Sequence, residues 1–150
     1  MIATDDIAPS RLRALPTWLI SQTAIHAHRM LTDELATADA RGYDYRLLAA
    51  LQEFGPASQA ALGRRTAVDR SDVVATVNAL ADRGLVKRTP DPIDRRRNVI
   101  TITPAGEAHL ARLDTILADV QDELLAPLSP ADCRLLITLL ERVLAHHAPS

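Results

Sequence analysis

Residues 69–103 read DRSDVVATVNALADRGLVKRTPDPIDRRRNVITIT. Their order is an amphipathic helix, a glycine stop, a short strand, an arginine-rich turn and a second strand. Asp69 suits an N-cap, because a carboxylate there can accept from the free N–H groups of the first turn. Asp72 adds negative charge near the positive end of the helix dipole. Val73, Val77 and Leu80 recur at i, i+4 and i+7, a narrow face that must be buried. At about 100° per residue, Ser71, Ala75, Asn78 and Asp82 take the opposite face, with Arg70 toward its edge. Gly84 stops the helix by accepting a left-handed conformation without a Cβ clash.

Beyond the glycine, Leu85–Thr89 is long enough for a short strand, and Val99–Thr103 is β-branched throughout. Pro90-Asp91-Pro92-Ile93-Asp94 between them is turn chemistry. Arg95, Arg96 and Arg97 then lie at or just past a hairpin tip, where three adjacent guanidiniums make most sense if an anion sometimes sits among them. A helix followed by a basic hairpin is the layout of a winged helix-turn-helix, with the helix fitted to a major groove and the wing to the adjacent minor groove or phosphates.

Working outward, Ser58 is placed to cap a short helix, Gln59–Arg65, with Leu62 inward and Gln59 and Arg64 outside. Thr66–Val68 makes a turn of helix-turn-helix length. Tyr43–Phe54 reads as a helix with Leu47, Leu48 and Leu51 inward, closed by Gly55-Pro56. Residues 10–40 read as one long helix, with Pro16 in a first turn or at a kink, a stripe of Leu15, Trp18, Leu19, Ile25, Leu31 and Leu35, and Arg41-Gly42 breaking it. Residues 1–9 read as loosely attached. On the other side, Thr103 caps and Pro104 opens a helix carrying Leu113, Ile116, Leu117, Val120 and Leu124, which Pro127 stops. Ser129-Pro130 opens a last helix. Its stripe of Leu135, Leu136, Leu139, Leu140, Val143 and Leu144 is too wide for one intrachain neighbour, so a second subunit is expected to cover it. The fold class is thus mainly α with a small β-hairpin: a winged helix-turn-helix at 43–106 between long helices at 10–40 and 107–148.

The formal net charge is −2, yet residues 64–97 hold nine Arg/Lys against five Asp. The remaining 116 residues are therefore left at −6. Such segregation makes one positive face, which counterion release rewards only where phosphates approach. At 150 residues, 47% hydrophobic, one domain with a real core is the default. No apolar run approaches the ~18 residues of a membrane span, and the first ten residues lack the basic start and apolar block of a secretion signal. The single cysteine, Cys133, excludes an internal disulfide framework and fits a reducing cytoplasm.

Three pieces in order, Leu80-Ala81-Asp82-Arg83-Gly84-Leu85-Val86-Lys87-Arg88, Asp91-Pro92-Ile93-Asp94-Arg95-Arg96 and Ile102-Thr103-Pro104-Ala105-Gly106, make residues 44–110 resemble the MarR family of bacterial transcriptional regulators. The resemblance implies a cytoplasmic homodimer, held by the terminal helices, on double-stranded DNA. It is expected to act as a repressor on a pseudo-palindromic operator with half-sites about one helical turn apart. It also implies that Arg96 enters the minor groove, that Arg95 and Arg97 flank it on phosphates, that Asp94 orients an arginine, and that Ser58 and Gln59 cap the positioning helix. Arg70, Ser71 and Asn78 are the polar candidates for the recognition helix. Where the family often presents Thr-Arg to the bases, this chain has Val74-Ala75, which can touch a thymine methyl but cannot form a bidentate hydrogen bond. The family's ligands often bind between the dimerisation helices and the winged unit. There, Trp18 and His26, eight residues apart on one side of the first helix, are the candidates for a small anionic or aromatic effector, with core packing the alternative for both.

Other chemistries find little support. His26 and His28 point roughly 200° apart on a helix and cannot share a metal. His146 and His147 suit a helix C-terminus. No Ser-His-Asp set or glycine-rich phosphate loop is visible, so neither an enzyme nor a cofactor is expected. The competing readings are a dimeric winged-helix module that binds protein, and a redox regulator acting through Cys133.

Overall fold

A computed structural model of the chain describes residues 7–149, within which the expected looseness of residues 1–9 is covered only from Ile7. The elements run α1 (Ser10–Arg13), α2 (Pro16–Ala36), α3 (Gly42–Phe54), β1 (Ala57–Ser58), α4 (Gln59–Thr66), α5 (Arg70–Asp82), β2 (Val86–Pro90), β3 (Asn98–Ile102), α6 (Pro104–Leu124) and α7 (Pro130–His147). Most helix starts are set by local chemistry. Ser58, Thr103 and Ser129 each accept from the N–H three residues on, at 3.2, 3.1 and 3.1 Å. Pro16, Pro104 and Pro130 occupy first-turn positions, where a missing N–H costs nothing. Asp69 stands at the N-cap of α5 with extended backbone, but its carboxylate makes no capping bond, contrary to expectation.

The N-terminal region also departs from the sequence reading. The single helix over 10–40 is two: Pro16 starts α2 afresh and Ala36 ends it. The reversal falls at Asp39, in left-handed backbone at φ 53°, not at Arg41-Gly42, and Gly42 already belongs to α3. Ala40 N–H donates back to Leu35 O at 3.0 Å, and Arg83 Nη1 donates to Asp39 O at 2.8 Å. These bonds hold a conformation that a non-glycine residue seldom adopts unaided.

The core fills the angle between α3, α4, α5, the sheet and α6. Leu47, Leu48, Leu62, Val77, Ile100 and Leu113 are fully buried, with Leu51, Val73, Leu80 and Leu110 nearly so. The sheet has three strands in the order β1-β3-β2, all antiparallel. Ala57 pairs with Ile100, so a two-residue strand that the sequence reading left out fastens the start of α4 to the wing. The hairpin itself pairs Val86 with Ile102 and Pro90 with Asn98.

Two of the motif pieces meet at the base of the wing. Gly84, at φ 71°, lets the chain leave α5. Thr103 Oγ1 donates to Gly84 O at 2.7 Å while accepting from Gly106 N–H, and Thr103 N–H donates to Leu85 O at 3.1 Å. A Cβ on Gly106 would stand 2.1 Å from Leu85 O, so only glycine lets α6 pass this close to the strand.

α6 packs along α2, whose C-terminal Leu35 is buried. Most of the expected α2 stripe is not intrachain core: Leu15, Leu19 and Ile25 are about half exposed. α7 goes further. It makes almost no contact with the other elements and buries none of its residues, leaving Leu135, Leu139, Leu140, Val143 and Leu144 exposed.

Candidate nucleic-acid interface

The left-handed turn at Ala67, φ 55°, sets α4 against α5 and buries Val68 between them. The first turn of α5 then faces the tip end of the wing, where β3 begins, across a groove of about 860 Å³. Into this groove come Ser58 and Gln59 from the start of α4, Arg70 from the start of α5, and Arg96 and Arg97 from the wing. Arg64 and Asn98 also line it. Sequence reasoning placed Arg64 on the outer side of its helix and counted it in the positive segment without assigning it to the site. Asp69 is the sole carboxylate among the lining residues, and four guanidiniums converge there.

The outer face of α5 is a separate surface. Ser71, Val74, Ala75 and Asn78 are exposed along it, outside that groove. Arg88, on β2, reaches across and donates from Nη2 to Asn78 Oδ1. Sequence reasoning placed Arg88 in the wing's first strand but not against Asn78, because the contact depends on how β2 lies against α5, which spacing along the chain does not reveal. Thr76 is buried on the inner face, a polar member of a face read as wholly apolar.

The wing tip is closed by hydrogen bonds. Asp91 N–H donates to Arg97 O at 2.8 Å, and Asp91 Oδ1 accepts from Ile93 N–H at 2.8 Å. Asp94 Oδ1 accepts from Arg96 N–H at 3.1 Å, and the same carboxylate lies 3.4 Å from Arg96 Nε and 3.8 Å from Arg97 Nε. Asp94 therefore orients two arginines whose side chains stay 94% and 71% exposed. At such exposure the ion pairs contribute little to stability. They aim the guanidiniums. Arg95 is exposed at the tip, outside the groove.

The two candidates for an effector site differ in exposure. Trp18 is half-buried and His26 exposed, and a shallow groove on α2 is lined by Ala24, Ile25, His28, Arg29, Thr32 and Asp33, without either. Cys133 is half-buried near the start of α7. Among the described residues, no three His, Cys, Asp or Glu side chains converge as metal ligands, and no helix is long and apolar enough to cross a membrane.

Behind the winged unit, polar groups join it to α6. Tyr45 Oη donates to Asp114 Oδ1 at 2.7 Å, and that bond, with burial and the nearby negative charge, pushes the phenol up to about 12. His109 Nε2 is buried without a partner. Burial, then the neighbouring Arg83, lowers the affinity of this imidazole for a proton, against an opposing pull from Asp44.

Comparison with known proteins agrees with this geometry. Residues 40–97 match the model of the MarR family. The HTH-type transcriptional repressor NicR of Pseudomonas putida is 44% identical over 63 residues, covering 42% of this chain and 40% of NicR. The chain spans 52%, 40% and 56% of the length of three curated relatives it matches. Among solved structures, a "probable transcriptional regulator" from Pseudomonas aeruginosa is 30% identical with a TM-score of 0.80, over 89% of this chain and 99% of that one. PcaV from Streptomyces coelicolor, solved in complex with its natural ligand, is 27% identical with a TM-score of 0.78, over 95% and 100%. The repressor CouR, bound to a 23-mer DNA duplex, shares the fold at a TM-score of 0.84 and 23% identity, over 92% and 98%. By motif, fold and overall similarity, this chain belongs to the MarR family, whose members are transcription regulators and not enzymes.

Proposed function

We propose that the chain is a cytoplasmic, ligand-responsive transcriptional repressor that binds a pseudo-palindromic duplex as a homodimer. In this reading residues 43–106 form the DNA-binding unit, and 10–40 with 107–148 supply the dimerisation helices. The observation that carries it is the gathering of Arg64, Arg70, Arg96 and Arg97 around one groove in a chain of net charge −2. α5 lies in the major groove with Ser71, Val74, Ala75 and Asn78 toward the bases. Ser58 and Gln59 hold the backbone beside it, and Arg70, at the start of α5, is a further polar candidate for the bases. Arg96 enters the minor groove between Arg95 and Arg97. The duplex seen with CouR supports this placement by likeness of fold.

Dimerisation is supported by α7, an 18-residue helix with no buried residue and a stripe of exposed leucines. A helix so apolar is stable in water only against a partner. A second copy, docked through α1, α2 and α7 about a twofold axis, satisfies both protomers at once. The ligand bound by PcaV supports a small anionic or aromatic effector for this chain, with Trp18 and His26 the residues to test first.

A mobility-shift titration against DNA flanking the chain's own gene tests the reading. Neutralising several phosphates predicts binding that weakens steeply with salt, and Arg96→Ala should weaken all duplexes together and lower the salt slope by about one. Binding indifferent to salt, or no binding at low ionic strength, would overturn it. Candidate planar acids added to the same titration test the effector, and unchanged affinity across them counts against that part alone.

A further inference from the structure

Phosphate binding leaves one feature of the wing tip unexplained. Ile93 is 97% exposed, the extreme among the large apolar side chains described, and it sits beside Pro92 within four residues of three arginines. Water gives a branched aliphatic side chain no stabilisation, and turn tips are ordinarily polar. Nor is Ile93 on a loose loop. Its N–H donates to Asp91 Oδ1, and the bonds from Asp91 to Arg97 and from Arg96 and Arg97 to Asp94 close the backbone on both sides. The aliphatic group is held outward on a preorganised, cationic frame.

The recognition helix gives a reason for such a device. Val74 and Ala75 offer the bases no hydrogen bonds. Asn78 has its carbonyl oxygen engaged by Arg88, which takes up one of the two lone pairs on the acceptor half of the amide fork that reads adenine. Hydrogen-bonded discrimination is left mainly to Arg70 and Ser71, at one end of the helix. Specificity must then come in large part from DNA shape, and the wing is where the protein can act on shape.

We propose that Ile93, with Pro92, is a minor-groove wedge: its side chain packs against sugars and base edges beside Arg96 while Arg95 and Arg97 hold the phosphates, opening the groove at that point. The inference rests on the DNA-binding reading above. Guanidiniums draw the tip into the narrow groove, where the negative potential is strongest, and an aliphatic body there displaces water from the sugar faces. Steps that unstack easily, TA and CA/TG, accommodate the opening at least cost. The operator is therefore selected at flanking steps that no side chain hydrogen-bonds.

The full-length chain should first be used to enrich duplexes from a randomised library. Wild type, Ile93→Ala, Ile93→Leu and Arg96→Ala are then compared on an enriched duplex by fluorescence anisotropy and by energy transfer between its labelled ends. Ile93→Ala should bind about fivefold more weakly. It should bend the duplex less and lose the preference for flexible flanking steps, with its salt slope unchanged. Ile93→Leu should keep most of the wild-type behaviour, and Arg96→Ala should lower the salt slope. Because Ile93 is exposed, the alanine variant should unfold at the wild-type Tm. An Ile93→Ala variant with wild-type affinity and wild-type step preference overturns the wedge while leaving DNA binding intact. A wild-type chain that enriches no duplex overturns the DNA-binding reading and the wedge together.

Discussion

A methyl group on Gly106 would lie 2.1 Å from Leu85 O and 2.8 Å from Ile102 Cγ1. The first of these neighbours is backbone and cannot swing aside. Gly106→Ala should therefore cost about 3 kcal/mol, measured by chemical denaturation, even though alanine is the better helix former. Tyr45 makes a second prediction at this scale. Its phenol ordinarily titrates near 10.0, and in the folded chain it is held neutral to about 12 by its bond to Asp114. Over that window the folded state keeps a proton that the unfolded state loses, so stability should be full below about pH 10 and fall as pH rises toward 12. Tyr45→Phe should flatten that part of the pH profile and cost about 1 kcal/mol at neutral pH, read from denaturation midpoints.

Among the elements, the ones legible in the sequence are those whose ends are set within a few residues. α4, α6 and α7 begin where Ser58, Thr103 and Ser129 sit beside the N–H groups they cap. The two strands of the wing were readable from β-branching and turn chemistry alone. What could not be read depends on residues far apart in the chain. The strand at Ala57–Ser58 exists because Ile100 is there to pair with, and the reversal at Asp39 is held partly by Arg83, forty-four residues on. The same division runs through the candidate site. Arg96, Arg97 and Arg70 follow from motif and position, whereas the Arg88–Asn78 contact needed the packing of β2 on α5. Since Ser58 both caps α4 and pairs with Val99, Ser58→Ala should cost about 1 kcal/mol. Hydrogen exchange should show the loosening concentrated in α4 and at the base of the wing.

For the molecule as a whole, the decisive fact is that the winged unit has its own core while α7 has none. On the proposed reading, the dimer should therefore come apart before the winged unit unfolds. Leu140→Asp, on the exposed stripe of α7, should shift the chain from dimer to monomer in light scattering while leaving the near-ultraviolet signal of the winged unit largely unchanged. A wild-type chain that is monomeric at micromolar concentration would remove the dimer from the proposal. The link between the two parts runs through Tyr45 and Asp114, together with the packing of α3 on α6. On the proposed reading, Tyr45→Phe should also lower any change in DNA affinity that an effector produces.

The cationic groove has one more consequence, for motion before contact. With a surplus of four positive charges in residues 64–97 and a deficit of six over the rest of the sequence, the chain's positive charge is concentrated on the winged unit. A polyanionic rod turns such a body as it approaches, so that collisions arrive wing first and the acidic side is kept away. Dissolved salt should then slow the search for a site by blunting this alignment, even for a duplex carrying the best sequence.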